Sequence, residues 1–294
     1  VKALQNARDV EARDNAIWAM SNLCKIKTLS VGAVEIIESQ ILPILCTALC
    51  NTELSLTART DAMWGITYIA SEHVDPVMRI GIVPNVVQQL VHNHLPLKVA
   101  AVRALGGVAT GDDVQTQHVI DSGFIEVAKD LLHAPNTTLR KETCWALSNI
   151  GAGTPKQIQA LLDGGYAHPI VLLMMTGPFD VKRECTWIVT NMIVGGLDAQ
   201  VHTLLQANAL KGLIHACNFE DISVLSSTLD ALKRCLQTFG DYMPIFEQEG
   251  GMDALDQLSA HEHDQISEKA TRLNDWMKGK EEEEETVSFN FNMN

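Results

Sequence analysis

The chain has 294 residues, 46% hydrophobic and 20% charged, with a net charge of −14. That length exceeds one compact core, which leaves two domains or an elongated repeat array. The acidic balance argues against nucleic acid and for basic partners, no apolar stretch is read as long enough to cross a membrane, and residues 1–24 carry Asp9, Glu11 and Asp14 where a signal peptide would be apolar.

In chain order, the first predicted helix carries Asn15, Trp18 and Asn22 and opens without an initiator Met, which reads as an N-terminal truncation. Cys46 and Cys50 follow, one helical turn apart but without a second ligand pair, so no metal site is read there. The seven cysteines, mostly flanked by apolar residues, read as buried thiols in a reduced compartment. The next helix carries Asp61, Trp64 and Tyr68. From there a period is explicit. Gly81, Gly123 and Gly165 are 42 apart, and each lies 22 residues before a marker: Arg103, Trp145 and Trp187. Gly111, Gly153 and Gly195 follow those markers by eight. Ile158, Leu161 and Leu162 form an apolar helical stripe, with a second run at Ile170–Leu173. Later copies are worn: Leu229 falls 42 after Trp187, and the helix around Ala270 is the last. A period near 40 built of helices with glycine breaks reads as an armadillo or HEAT solenoid. The array, about seven repeats with the first incomplete, spans 1–279. Residues 280–294, with the run Glu281 to Glu285, read as an acidic, disordered tail.

The markers carry partners. Trp145-x-x-x-Asn149 and Trp187-x-x-x-Asn191 each follow an acid by three residues, Glu142 and Glu184. At roughly 100° per residue, Glu142, Trp145 and Asn149 share an arc of about 60° opposite Leu147 and Cys144. The same holds for Glu184, Trp187 and Asn191, for Asp61, Trp64 and Tyr68, and for Asn15, Trp18 and Asn22. A single Trp off the apolar stripe is usually core; four with matched partners predict a surface ladder. An Asn amide offers a donor and an acceptor to the backbone of an extended peptide. A Lys or Arg stem fits between indoles, with a cation–π attraction of about 0.5–2 kcal/mol. The acids at −3 are expected to meet the cationic heads.

These residues resemble importin-alpha (karyopherin-alpha). The resemblance runs over essentially the whole chain, and is carried by Arg13-Asp-Asn-Ala-Ile-Trp-Ala-Met-Ser-Asn-Leu-Cys24, Thr110-Gly-Asp-Asp-Val-Gln-Thr-Gln117, Lys141-Glu-Thr-Cys-Trp-Ala-Leu-Ser-Asn149, Lys156-Gln-Ile-Gln-Ala160 and Ser267-Glu-Lys-Ala-Thr-Arg272. It implies an all-α, armadillo-repeat right-handed superhelical solenoid. It also implies a nuclear import adaptor that binds basic nuclear localisation signal peptides and shuttles between cytoplasm and nucleus. By the resemblance, Trp145, Asn149, Trp187, Asn191, Glu142 and Glu184 fall on the minor peptide site. Arg103 takes the Trp place of the intervening repeat, Trp18 and Asn22 match the last rung of the major site, and Trp64 and Tyr68 match the linker region. The family pattern has Asn where this chain has Gly107, which removes one backbone clamp. The basic importin-beta-binding segment and the first repeats are expected to be missing. The C-terminal repeat and tail resemble the family's surface for its export receptor.

Other readings carry less. An armadillo scaffold for other extended peptides is the alternative, but such grooves are typically basic, and the acids at −3 point the other way. No nucleophile elbow, Ser/His/Asp set or phosphate loop is present, so no enzyme and no cofactor is read.

Overall fold

The structure, a computed structural model, describes residues 10–25 and 31–279. The acidic tail read from the sequence lies outside the described residues. Two compact units divide between Gly153 and Thr154.

The first unit begins with α1 (Val10–Leu23). Three groups follow. The first joins α2 (Val31–Ile36), a π turn at Ile37–Ile41 and α3 (Leu42–Cys50) to α4 (Leu56–Glu72). The second is α5 (Val74–Ile80), α6 (Val83–Gln88) and α7 (Leu95–Val108), and the third α8 (Asp113–Asp121), α9 (Phe124–Leu131) and α10 (Thr137–Gly151). The second unit repeats the plan: α11 (Pro155–Asp163), α12 (Ala167–Thr176) and α13 (Phe179–Gly195); α14 (Asp198–Gln206), α15 (Ala209–Ala216) and α16 (Ile222–Thr238); α17 (Met243–Gln248), α18 (Gly251–Ser259) and α19 (Asp264–Met277). No strand occurs among the described residues. Each unit is an armadillo-type stack, in which the long third helices pack side by side: α1, α4, α7 and α10 in the first, and α13, α16 and α19 in the second.

Local chemistry sets the helix limits. Asp112 and Thr154 form capping boxes with Gln115 and Gln157 at the starts of α8 and α11. The 42-spaced glycines are the left-handed residues between first and second helices: Gly81, Gly123 and Gly165 have φ of 70°, 88° and 74°. Only a residue that tolerates positive φ turns the chain there. Asn208 (φ 68°) and Gly250 (φ 82°) take the same place in the last two groups. They continue the series that the worn sequence hides.

One sequence reading needs correction. Gly32–Cys50 runs as a helical stretch of 19 residues, long and apolar enough by composition to span a membrane. Its Leu42, Leu45 and Leu49 are buried, and α3 packs on α4, so it serves as a core helix of its group. Burying each such side chain contributes about 1.5–3 kcal/mol. Arg59, also buried, ties this group to the next: Nε donates to the Leu49 carbonyl at 3.1 Å and Nη2 to Gln89 Oε1 at 2.8 Å. Six of the seven cysteines are buried and Cys50 is exposed; burial pushes the Cys217 and Cys235 thiols up to about 12.

Candidate peptide-binding face

Helix α10 is buried on most of its circumference, by Leu139, Thr143, Cys144, Ala146, Leu147 and Ile150. Trp145 and Asn149 are half-buried on the remaining stripe. Their seat is Gly106 of α7. The Trp145 ring lies where a side chain at 106 would begin, so only glycine admits it. The Asn149 amide donates to the Gly106 carbonyl at 3.0 Å. One Asn donor is thereby spent on orientation, which leaves the second N–H and the carbonyl oxygen to offer a ligand.

Glu142 lies beneath this pair at 7% exposure. Arg103 Nε and Lys141 Nζ each approach its carboxylate at 3.4 Å. The Arg103 guanidinium also lies 5.8 Å from the centroid of the Trp64 ring, and Trp64 stacks on Tyr68 at 6.0 Å and 26°. On the far side Lys25 Nζ is 5.4 Å from the Tyr68 centroid and donates to Asn22 Oδ1 at 2.8 Å. Asn22 Nδ2 donates to the carbonyl of Trp18, whose side chain is 58% exposed. The first unit thus carries one connected face: Trp18, Asn22, Lys25, Tyr68, Trp64, Arg103, Glu142, Trp145 and Asn149. Asp61 sits half-buried beside it. Desolvation first, then the like charge of Asp14, raises its pKa above the ordinary value, against a lowering by Lys25.

In the second unit Trp187 and Asn191 are half-buried on α13. Glu184 is 6% exposed, and Arg183 Nη2 reaches it at 3.0 Å while Nη1 reaches Asp221 at 3.4 Å. The hydrogen bond that Arg183 donates to Glu184 is the largest cause that raises the Arg183 pKa.

The indoles and amides therefore lie on the stripe where the helical arithmetic puts them. Glu142 and Glu184 do not lie open beside them. The expectation that these carboxylates face outward to receive a ligand's cationic head is corrected: the chain's own cations already cover them. A wheel treats one helix in isolation, whereas Arg103 reaches Glu142 from the neighbouring α7. Sequence reasoning missed Lys25, Gly106, Lys141 and Arg183. A signal existed for two of these, since the dipeptides Lys141-Glu142 and Arg183-Glu184 recur at the same 42-residue spacing. Gly107, at the place of the lost clamp, is buried, and a Cβ there would lie 3.3 Å from the Ala70 carbonyl oxygen. No group of three or more His, Cys, Asp or Glu among the described residues is placed to hold a metal ion.

The Armadillo/beta-catenin-like repeat family matches residues 112–152, the group α8–α10. Importin subunit alpha-3 of Arabidopsis thaliana is 33% identical over 287 residues, covering 92% of this chain and 53% of that protein. Importin subunit alpha-1b of Oryza sativa subsp. japonica is 30% identical over 283 residues, covering 88% of this chain and 50% of that protein. The chain spans about half the length of these curated relatives. Among solved structures, an engineered protein superposes with a TM-score of 0.83 at 23% identity, covering 94% of this chain and 67% of its own. A designed armadillo repeat protein, solved in complex with the peptide (KR)4, superposes with a TM-score of 0.73 at 23% identity, covering 80% of this chain and 99% of its own. The repeat match and the architecture make the fold an all-α armadillo solenoid. The chain is an armadillo-repeat homologue of the importin alpha subunits.

Proposed function

We propose that this chain is a nuclear import adaptor that takes extended basic peptides, of the nuclear localisation signal type, on its Trp/Asn face. By the resemblance, the minor-site rungs are Trp145 with Asn149 in the first unit and Trp187 with Asn191 in the second. The observation that carries this reading is the pairing of Trp145 with Asn149 on Gly106. It fixes an exposed indole edge and a pre-oriented amide on one stripe, so less ordering is needed when a peptide binds. Trp18, Asn22, Asp61, Trp64 and Tyr68 extend the face, and Arg103 takes the intervening place. Glu142 and Glu184 lie buried at the foot of these rungs, each paired with the chain's own cations. In this reading the adaptor hands cargo to an importin-beta carrier, its C-terminal repeats meet an export receptor, and the protein shuttles between cytoplasm and nucleus.

The test is a titration of tryptophan emission with a lysine/arginine-rich peptide at low salt, alongside an acidic peptide of equal length. The basic peptide is expected to bind and the acidic one not to compete for the same rungs. Asn149→Ala with Asn191→Ala is expected to weaken binding by about 2 kcal/mol, at about 1 for each hydrogen-bonded amide. No binding of the basic peptide, or unchanged affinity in the double variant, overturns the reading.

A further inference from the structure

Within the second unit, α16 departs from the Trp/Asn pattern. Lys233 stands 42 residues after Asn191, and Leu229 stands 42 after Trp187, so α16 carries a cation and an apolar residue in the amide and indole registers. Between α16 and α19 lies a cavity of 140 Å³, whose lining includes Leu229, Asp230, Lys233, Lys269, Arg272 and Trp276. Its charges are unequal. Asp230 is the acid of the lining and is engaged by Lys269 Nζ at 2.6 Å. Lys269 also donates to Ser226 Oγ at 2.9 Å. Arg272 makes an exposed contact of 3.5 Å with Glu268, one turn back on its own helix, a pair of little energetic weight. Lys233 is exposed and makes no ion pair or hydrogen bond among the described residues. In a chain of net charge −14 this is a cationic pocket with an indole wall.

We propose that this pocket is the dock for the chain's own glutamate run, Glu281 to Glu285. Three observations point to that occupant. Charge is complementary: five carboxylates meet a lining that holds three cations and one acid already paired. The tether is short, since α19 ends at Met277 and Glu281 follows four residues later. The exit direction also fits. Gly279 is left-handed (φ 76°), its N–H bonds back to the Trp276 carbonyl at 3.0 Å, and that of Lys278 to the Asn274 carbonyl at 3.0 Å. Such a cap turns the chain off the helix axis. Lys269 to Trp276 covers roughly 10 Å of α19 at 1.5 Å per residue, and five extended residues reach roughly 17 Å, so the run is long enough to lie along the pocket. The carboxylates meet the side of α19 and not its C-terminal end, where the helix dipole would repel them. An acidic segment of another protein is the competing occupant, and it would have to displace the tail.

The experiment uses the full chain and a full-chain variant with Glu281 to Glu285 each changed to Gln. A fluorescein-labelled peptide with the sequence of residues 280–290 is titrated into both. The Gln variant is expected to bind it in a salt-sensitive way. The parent is expected to bind about ten-fold more weakly, as an effective tail concentration on the order of 1 mM gives against a dissociation constant on the order of 0.1 mM. Adding Lys233→Gln and Arg272→Gln to the Gln variant is expected to abolish binding; both side chains are exposed, so the fold is retained. Equal binding by parent and variant overturns the proposal, and so does no binding by either. Zero-length carbodiimide coupling gives a second reading. Links from Lys233 or Lys269 to the glutamate run within one chain support the dock. Links confined to Lys278 and Lys280, or links only between chains in a mixed-isotope sample, overturn it.

Discussion

Asn149 Nδ2 donates to the backbone carbonyl of Gly106 at 3.0 Å, on the turn of α7 that seats the Trp145 ring. Gly106 lies two residues before the end of α7, where carbonyls lose their partners four residues on. The amide from α10 supplies the missing donor. The same contact finishes one helix and aims the side chain of the next.

Gly106→Ala tests that seat. The new methyl group would overlap the Trp145 ring and approach the Ala146 Cβ at 3.2 Å. Overpacking of this kind costs about 1–3 kcal/mol. Urea unfolding is expected to show that loss, and tryptophan emission to shift as the ring is displaced. A variant as stable as the parent with unchanged emission would show that Trp145 does not rest there.

Arg103 and Glu142 predict an asymmetric pair of effects. Glu142 is buried, and Arg103 is half exposed. Glu142→Gln leaves two cations around a neutral amide and is expected to cost about 1–2 kcal/mol. That is below the 3–5 of a fully buried pair, because both cations keep contact with water. Arg103→Ala is expected to cost less than about 1 kcal/mol. In a double-mutant cycle by denaturant unfolding the two changes should couple; strict additivity would deny the contact.

The raised pKa of Asp61 predicts a pH dependence. Its folded form holds the proton more tightly than the unfolded chain does. The charged carboxylate is therefore a destabilising group, whose penalty is fully present above the folded pKa. The penalty is lost as pH falls through the window down to the ordinary value of 3.8. Asp61→Asn should raise the unfolding midpoint at pH 7 and have little effect at pH 3. An equal effect at both values would rule out the titration of Asp61 as the cause.

Arg234 closes α13. Its guanidinium donates to the carbonyls of Ile193 at 2.5 Å, Val194 at 2.7 Å and Gly196 at 2.6 Å. The cation satisfies carbonyls at a helix C-terminus and meets the negative end of its dipole. Arg234→Ala is expected to destabilise the chain by about 1.5–3 kcal/mol, the range for a charge-assisted bond to a neutral group. Arg234→Lys should recover part of it, since a single ammonium cannot reproduce the fork. Faster amide exchange over 190–196 would locate the effect.

The sequence alone determined the period, the helical class and the stripe that carries Trp145 and Asn149. Each of these rests on residue type and spacing within a single helix or turn, and a left-handed glycine needs no distant partner. The tertiary structure decided which polar groups that stripe can offer. Glu142 and Glu184 share the Trp arc by angle, yet Arg103, Lys141 and Arg183 cover them. Gly106 reads as one more small residue until the Trp145 ring occupies the space its side chain would fill. Asn208 does the work of a glycine that the period leads one to expect, in a repeat whose markers have worn away. Lys141 and Arg183 adjoin their acids in sequence, but Arg103 arrives from 39 residues away (142 − 103), and no local pattern states which distant neighbour will do so.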